Sequence, residues 1–241
     1  MIVEICAPNY QSAINAEIAG ADRIELCAEL AVGGITPSSG MIEQVIAAIS
    51  IPVHVLIRPR SGGFCYTREE IEIIKKDILF CKKMKCAGVV VGLLNKDFTI
   101  DSQSMKELVS LAKPMHVTFH RAFDWIPDQK QALNTLIDLG VDSVLTSGKE
   151  VSAEKGISNL VELKEIANNQ INILPGGGIN SDNAILFKEK GFNQIHFSGT
   201  LIQDDQHPEK LSMNSPLLLR NEYVPISNIE LIRSVLAVIR E

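Results

Sequence analysis

The chain lacks the features of several large protein classes. No apolar run approaches the ~20 residues needed to span a bilayer, so we expect no membrane partner. No basic stripe is present and the formal net charge is -6, which argues against nucleic acid as a partner. The five cysteines are an odd number, which favours a reducing compartment over a disulfide framework. The opening MIVEICAPN enters a strand without a signal-peptide pattern, so we expect a cytoplasmic protein.

Familiar catalytic motifs are also missing. No Walker-type, H-E-x-x-H or G-x-S-x-G motif occurs, so neither a nucleotide kinase nor a serine hydrolase is indicated. No G-x-G-x-x-G follows the first predicted strand, which disfavours an open dinucleotide-binding sheet. Four zinc ligands at a suitable sequence spacing are not found either.

What the chain does contain is a regular alternation of short apolar runs and helical periods. Such alternation predicts parallel strands joined by right-handed helical crossovers. The predicted helices lie near 10–19, 40–49, 68–84, 102–112, 128–138, 153–167, 181–190 and 228–239. The predicted strands are Ile2–Cys6, Arg23–Cys27, Val53–Ile57, Ala87–Gly92, His116–Phe119, Ser143–Thr146, Ile171–Leu174 and Gln194–Phe197.

Eight such units in 241 residues predict an α/β fold, a single (β/α)8 TIM barrel, which typically takes ~250 residues. The alternative is an open doubly wound sheet. Gly20, Gly140 and Gly191 each stand just before a predicted strand, as helix C-terminal glycines do. No linker or change of composition divides the chain, so we expect one domain over 1–241. Its barrel units occupy 1–200, and a C-terminal loop and final helix occupy 201–241.

The C-terminal ends of the barrel strands carry the chemistry in this fold, and here they collect polar residues of both signs. An arginine can bind phosphate or carboxylate, and a histidine beside a carboxylate can move a proton. A bland alternative is a layer of ion pairs in which Arg58 and Arg121 neutralise Glu4 and Glu25. His54, His116 and His196 lie within strands and are interpreted as core or layer residues. The candidate catalytic residues are Glu25, Arg58, His120, Arg121 and Asp124.

Two glycine-containing loops follow the last two predicted strands. INILPGGGIN at 171–180 has little side chain in its loop, and a helix is expected to start at Asn180–Asp182. Bare N–H groups beside a helix start can bind an anion, and this fold often binds phosphate after strands 7 and 8. A simple tight turn is the alternative. The candidate anion-binding residues are Gly176, Gly177, Gly178, Ser198, Gly199 and Thr200.

The first two strands end in matching tripeptides, Glu4–Ile5–Cys6 and Glu25–Leu26–Cys27. Cys6 and Cys27 should therefore lie at similar heights on neighbouring strands, where two thiolates could bind a soft ion such as Cu(I). No histidine or methionine stands beside either cysteine in the sequence, and buried free cysteine is common in any core. Inert packing therefore remains an alternative. Cys65 is predicted to be exposed on the loop after the third strand.

Seven segments of the chain form an ordered set of motifs: VEIC at 3–6, GADRIELC at 20–27, GGITPS at 33–38, VLIRPRSGGFCYT at 55–67, FHRAFD at 119–124, LTSG at 145–148 and LPGGGI at 174–179. Together they resemble the CutC family, named for copper homeostasis. The resemblance runs from the first strand to about Thr200. It implies a (β/α)8 barrel, a cytoplasmic location, a homo-oligomer and a role in copper handling. It also implies that Cys6 and Cys27 fall at the family's cysteine positions.

Two hypotheses of different class follow. One is a copper-homeostasis protein that binds Cu(I) through Cys6 and Cys27. The other is an enzyme with isomerase-, lyase- or aldolase-like proton transfer on a small phosphorylated or carboxylated metabolite, in which His120 works with Glu25 or Asp124. The ligand is accordingly a copper ion or a small anionic molecule.

Overall fold

The computed structural model describes residues 1–204 and 223–240. Within them, strands and helices alternate from the first residues onward, as the apolar periodicity predicts. The eight barrel strands are β1 (Ile2–Ala7), β2 (Arg23–Leu26), β3 (Val53–Leu56), β4 (Gly88–Val91), β5 (His116–Phe119), β6 (Ser143–Thr146), β7 (Asn172–Pro175) and β8 (Gln194–Phe197).

Most of the described α-helices begin at a side-chain N-cap, and two of them end at a left-handed C-cap residue. Thr67 and Glu70 form a reciprocal capping box at the start of α3. Gly20 ends α1 with φ 91°, a conformation in which glycine has no Cβ penalty. The eight helices are α1 (Tyr10–Ala19), α2 (Ser39–Ala48), α3 (Arg68–Lys83), α4 (Ser102–Ala112), α5 (Gln129–Asp138), α6 (Ile157–Ala167), α7 (Ala184–Glu189) and α8 (Ile229–Arg240). None of the helices in the described ranges is long and apolar enough to cross a membrane.

The eight strands form one parallel sheet in the order β7-β6-β5-β4-β3-β2-β1-β8. The strands at the two ends of this order meet through a parallel bridge between Gly176 and His196, which brings the barrel close to full closure. The predicted (β/α)8 barrel is therefore confirmed, and the open doubly wound alternative is wrong. Because the eight strands are parallel, their C-terminal ends all lie on one rim of the barrel.

Side chains alternate between two environments along each strand. Val3 and Ile5 belong to the large apolar core that also contains the buried faces of the helices. Cys6, Cys27 and Leu56 belong to a second, small cluster together with Val90. The period of two in a strand thus separates a helix-facing core from a small cluster that lines the rim cavity.

The described residues contain secondary-structure elements that the sequence analysis did not predict. Two short 3₁₀ helices, Leu30–Val32 and Arg121–Trp125, follow β2 and β5. An antiparallel pair, β9 (Thr200–Asp204) and β10 (Tyr223–Ser227), precedes α8 where a polar loop was expected. Residues 205–222, the rest of that predicted loop, lie outside the described residues.

Candidate functional site

A cavity of about 470 Å³ lies at the C-terminal end of the barrel. Its volume is in the range typical of small-molecule sites. The cavity is lined by all the candidate catalytic and metal-binding residues, and by part of the candidate anion-binding set. These lining residues are Cys6, Glu25, Cys27, Arg58, His120, Arg121, Asp124, Gly177, Gly178 and Ser198.

Two thiols meet in this cavity. The Sγ atoms of Cys6 and Cys27 are 3.6 Å apart and both residues are buried. The hydrogen bond to Cys27, together with burial, raises the pKa of the Cys6 thiol well above its ordinary value. Without a cation the Cys6 thiol is therefore protonated at neutral pH. The predicted equal height of the two cysteines is wrong, because the register of β1 on β2 sets Cys6 opposite Glu25, two residues before Cys27, and the two thiols meet across this offset.

His196 is a candidate site residue that the sequence interpretation missed. It was assigned to the core, but it lines the cavity beside Cys6 and Glu25. Its Nε2 atom is 3.4 Å from Glu25 Oε2, and its Nδ1 atom is 2.8 Å from Glu4 Oε1. Although no histidine stands next to either cysteine in the sequence, the fold brings His196 close to Cys6. The usable signal was strand alternation, since Gln194, His196 and Ser198 share one face of β8.

Glu4 is the hub of the polar network below the cavity. It is 1% exposed and forms an ion pair with Arg23, while His54 Nδ1 lies 3.5 Å away. Burial alone would raise the pKa of Glu4, but the hydrogen bond to His196 and the charge of Arg23 lower it far below its ordinary value. The alternative of an ion-pair layer with Arg58 and Arg121 is therefore wrong for Glu4, because Glu4 pairs with Arg23 instead.

The pKa values of Glu25 and His196 are both raised, but for different reasons. Burial raises the pKa of Glu25 to about 7. Burial would lower the pKa of His196, but its hydrogen bonds to Cys6 and Glu4 raise that pKa well above the ordinary value. The two side chains are consequently an acid–base pair within reach of one ligand.

Arg58 is buried and holds loops together. Its guanidinium donates to the carbonyl oxygens of Val32 (2.8 Å), Gly34 (2.7 Å) and Gly62 (2.7 Å). These contacts join the loops after β2 and β3, and the guanidinium also lies 5.1 Å from the centre of the Phe64 ring. Three of the five N–H donors of Arg58 therefore serve backbone carbonyls, while its buried Nε has no hydrogen-bond partner among the described residues.

His120 is a neutral, buried imidazole. Its Nδ1 atom accepts the N–H of Ala122 at 3.1 Å, and its Nε2 atom has no hydrogen-bond partner among the described residues. Burial and the positive charge of Arg58 lower the pKa of His120 to about 3. The predicted proton exchange of His120 with Glu25 or Asp124 therefore has no direct hydrogen bond to support it.

Arg121 and Asp124 connect the loops after β5 and β6. The Asp124 carboxylate accepts from Arg121 Nε (2.8 Å) and from the N–H and hydroxyl of Ser147 (3.2 and 3.1 Å). Arg121 also donates to the Ser147 hydroxyl at 2.8 Å and lies over Gly177. Asp124 is thus committed to structure, while Arg121 is the partly exposed cation that faces the cavity.

The two glycine loops do not converge on one anion site as predicted. Gly176 lines no described cavity; a Cβ there would stand 2.6 Å from Leu145 Cδ1, so a larger residue at this closing bridge would have to displace the end of the Leu145 side chain. Gly177 and Gly178 line the large cavity with Ser198. Gly199 and Thr200 line a separate cavity of about 210 Å³ beside α8, which Ser198 also lines.

The helix after the first glycine loop also starts later than expected. It begins at Ala184 rather than near residue 181 and is six residues long. Asn180 and Asn183 satisfy loop N–H groups, because Asn183 Oδ1 accepts from Asn180 N at 2.9 Å. The loop N–H groups that were expected to face an anion are therefore partly used within the loop.

Comparison with known proteins agrees with this fold. The model of the CutC family matches residues 1–201. A CutC family protein from Klebsiella pneumoniae (strain 342) is 44% identical over 197 residues, covering 82% of this chain and 79% of its own. The human copper homeostasis protein cutC homolog is 43% identical over 204 residues, covering 84% and 75%.

Solved structures give the same result. A crystal structure of a CutC copper homeostasis protein from Streptococcus agalactiae is 35% identical, with a TM-score of 0.78, and the match covers 82% of this chain and 98% of that one. Phosphoribosyl anthranilate isomerase from Thermus thermophilus, at 11% identity and a TM-score of 0.59, shares the fold alone, over 100% and 98% of the two chains. By its family match, its relatives and its barrel, this chain belongs to the CutC family of copper homeostasis proteins.

Proposed function

We propose that this protein binds Cu(I) as its cargo through the thiolates of Cys6 and Cys27. The observation that carries the proposal is the 3.6 Å contact between the two buried Sγ atoms in the cavity. Thiolates are the ligands that Cu(I) prefers, and two of them on neighbouring rigid strands are already positioned for one ion. The name of the human relative, a copper homeostasis protein, supports the same ion.

The surroundings of the pair suit a soft, singly charged ion. Leu56, Val90 and Leu30 pack around the two cysteines and limit access of water. The raised pKa of Cys6 means that an incoming ion must displace protons. Cu(I) affinity is therefore expected to rise with pH.

The test is a titration of the reduced protein with Cu(I) against a chromophoric chelator. We expect one high-affinity ion per chain in the wild type. The Cys6→Ser/Cys27→Ser double variant should lose at least about tenfold in affinity, or about 1.4 kcal/mol.

Two matched controls remove cysteines elsewhere. Cys81 and Cys86 form a second hydrogen-bonded thiol pair outside the cavity, and Cys65 is exposed. Cys81→Ser and Cys65→Ser should leave the Cu(I) affinity unchanged. Equal losses in the Cys81→Ser control and in the double variant, or no loss in the double variant, would refute the proposal.

A second candidate function is an enzyme that acts on a small phosphorylated or carboxylated metabolite. The favouring observation is a cavity of about 470 Å³, far larger than one ion needs. Arg121 over Gly177 would hold the anionic group. Glu25 and His196, rather than His120, would move the proton, because they are 3.4 Å apart and the pKa of Glu25 is about 7.

The enzyme hypothesis is tested with a panel of phosphorylated and carboxylated metabolites. Trp125 is the single tryptophan and lines the cavity, so a bound ligand should change its fluorescence and raise the thermal stability. Arg121→Gln should abolish both responses, while Lys130→Gln, which removes an exposed cation paired with Glu162, should not. A panel without any response in the wild type would exclude this function for the compounds tried.

Location and assembly are proposed with the same function. Five free cysteines and a Cu(I) cargo suit the reducing cytoplasm. A homo-oligomer is expected from the family resemblance, and light scattering on the purified chain would decide it.

A further inference from the structure

Three different metal-binding side chains converge beside the thiol pair. Cys6, Glu25 and His196 each offer one donor atom, and all three donor atoms lie within 4.8 Å of one another. All three residues are buried. They come from β1, β2 and β8, which are neighbours in the sheet, and Cys6 lies opposite Glu25 in the strand register. The cluster is therefore built on rigid strands rather than on loops.

The imidazole of this cluster is oriented by a carboxylate behind it. His196 Nδ1 lies 2.8 Å from Glu4 Oε1, which leaves Nε2 on the side of Glu25 and Cys6. Metal-binding histidines commonly donate their second N–H to a carboxylate, and this contact fixes the tautomer and the ring orientation. Glu4 is itself held by Arg23, so the second partner of the imidazole is fixed.

The donor set selects the class of ion. One thiolate, one imidazole and one carboxylate form a mixed soft and hard set, which suits Zn²⁺ and does not suit Mg²⁺ or Ca²⁺. A carboxylate adds little for Cu(I), which prefers the two thiolates of Cys6 and Cys27. Cys27 lies beside Cys6 but outside the set of three.

We infer that Cys6, Glu25 and His196 form a Zn²⁺ site, positioned by Glu4, with its fourth position open to the cavity. All three ligands line that cavity. Three protein ligands and an open position are the arrangement of catalytic rather than structural zinc. Bound there, Zn²⁺ would supply Lewis acidity to a water or ligand oxygen in the cavity. The inference goes beyond Cu(I) binding and shares only Cys6 with it.

The test compares Zn²⁺ and Cu(I) binding in the same metal-stripped, reduced variants. Each ion alone is titrated against a chromophoric competitor. Glu25→Gln and His196→Asn should weaken Zn²⁺ binding at least about tenfold and leave Cu(I) binding within about twofold. Cys27→Ser should do the reverse. Cys6→Ser should weaken both.

The two proposals fail separately. A wild type that binds Cu(I) but no Zn²⁺, or a Cys27→Ser variant that loses Zn²⁺ as strongly as Glu25→Gln, overturns the zinc site and leaves the copper site standing. Loss of Cu(I) binding in Glu25→Gln equal to that in Cys27→Ser would show one shared site and would also overturn the inference. Circular dichroism and thermal unfolding of each variant verify that it is folded.

Co²⁺ provides a readout of the ligands themselves. Co²⁺ in the site should give a thiolate charge-transfer absorption that is present in the wild type and in Cys27→Ser and absent in Cys6→Ser. Glu4→Asp, which keeps the charge behind His196, should retain more Zn²⁺ affinity than Glu4→Gln. A charge-transfer band that disappears in Cys27→Ser, or equal affinities in the two Glu4 variants, would contradict the proposed arrangement.

Discussion

His120 is expected to make the protein sensitive to acid because the folded state keeps this imidazole neutral. The ring is 5% exposed and lies against Gly92, where a Cβ would stand 2.6 Å from His120 Cε1. Its pKa is lowered from 6.5 to about 3 by burial and by the charge of Arg58. A histidine whose folded pKa is depressed binds fewer protons than the same histidine in the unfolded chain. Its contribution to stability is thus present above pH 6.5 and is lost as the pH falls from about 6.5 towards 3.

The size of the effect follows from these two pKa values. Between pH 7 and pH 5 the unfolded imidazole becomes protonated while the folded one stays neutral. The free energy of unfolding should therefore fall by about 2 kcal/mol through this one group. Other titrating groups also contribute to the total pH dependence, so the wild-type profile alone does not isolate His120.

The comparison with His120→Asn isolates it. Asparagine can keep the acceptor that caps Ala122 N and does not titrate. Its smaller side chain lowers stability by an amount that does not depend on pH. Urea unfolding, followed by Trp125 fluorescence, is measured for both proteins at pH 7 and pH 5. The stability difference between wild type and variant should shrink by about 2 kcal/mol at pH 5. A difference that stays the same within about 0.5 kcal/mol would refute the buried neutral state.

Three substitutions in and beside the cavity are tested by urea unfolding. Gly92→Ala should lower stability by about 1–3 kcal/mol, because the new methyl group must displace the ring of His120, and an unchanged stability would contradict that packing. Glu4→Gln should cost about 3–5 kcal/mol, since it leaves Arg23 buried without its partner; a cost below about 1 kcal/mol would show that the pair is not needed. Glu25→Gln should be neutral or stabilising at pH 8, because burial opposes the charge of Glu25, and a large loss would contradict its raised pKa.

The barrel itself was predictable from one sequence because its signal is repeated. Each unit presents a short Val- and Ile-rich run followed by a helical period, and the predicted strand boundaries agree with the structure within one or two residues. Gly20 and Gly140, predicted as helix C-terminal glycines, both have positive φ, at 91° and 74°. The same strand–helix pattern occurs eight times, so an error in one predicted boundary does not change the predicted fold.

The partners within the site were not predictable in the same way. The sequence assigned His196 to the core, and the structure places it in the cavity; the structure also places the candidate residue Arg58 on loop carbonyls. Neither placement was foreseen, and both have one cause. A side chain's neighbours inside a barrel depend on the register between strands, and one sequence carries no information on register. Strand alternation alone would have placed His196 in the barrel interior, but not opposite Glu4.

The two carboxylates near Cys6 have opposite energetic status, and this contrast favours Glu25 over Glu4 as the candidate functional group. Glu4 is ionised because Arg23 and two histidines surround it, so the fold uses its charge. Glu25 has only His196 within ion-pair distance in the described residues, and burial raises its pKa to about 7. A buried carboxyl group whose charge the fold does not need is costly to retain for structure. Under the proposals above, Glu25 would hold a cation or transfer a proton at the Cys6–His196 face of the cavity, so Glu25→Gln should alter ligand binding while sparing stability.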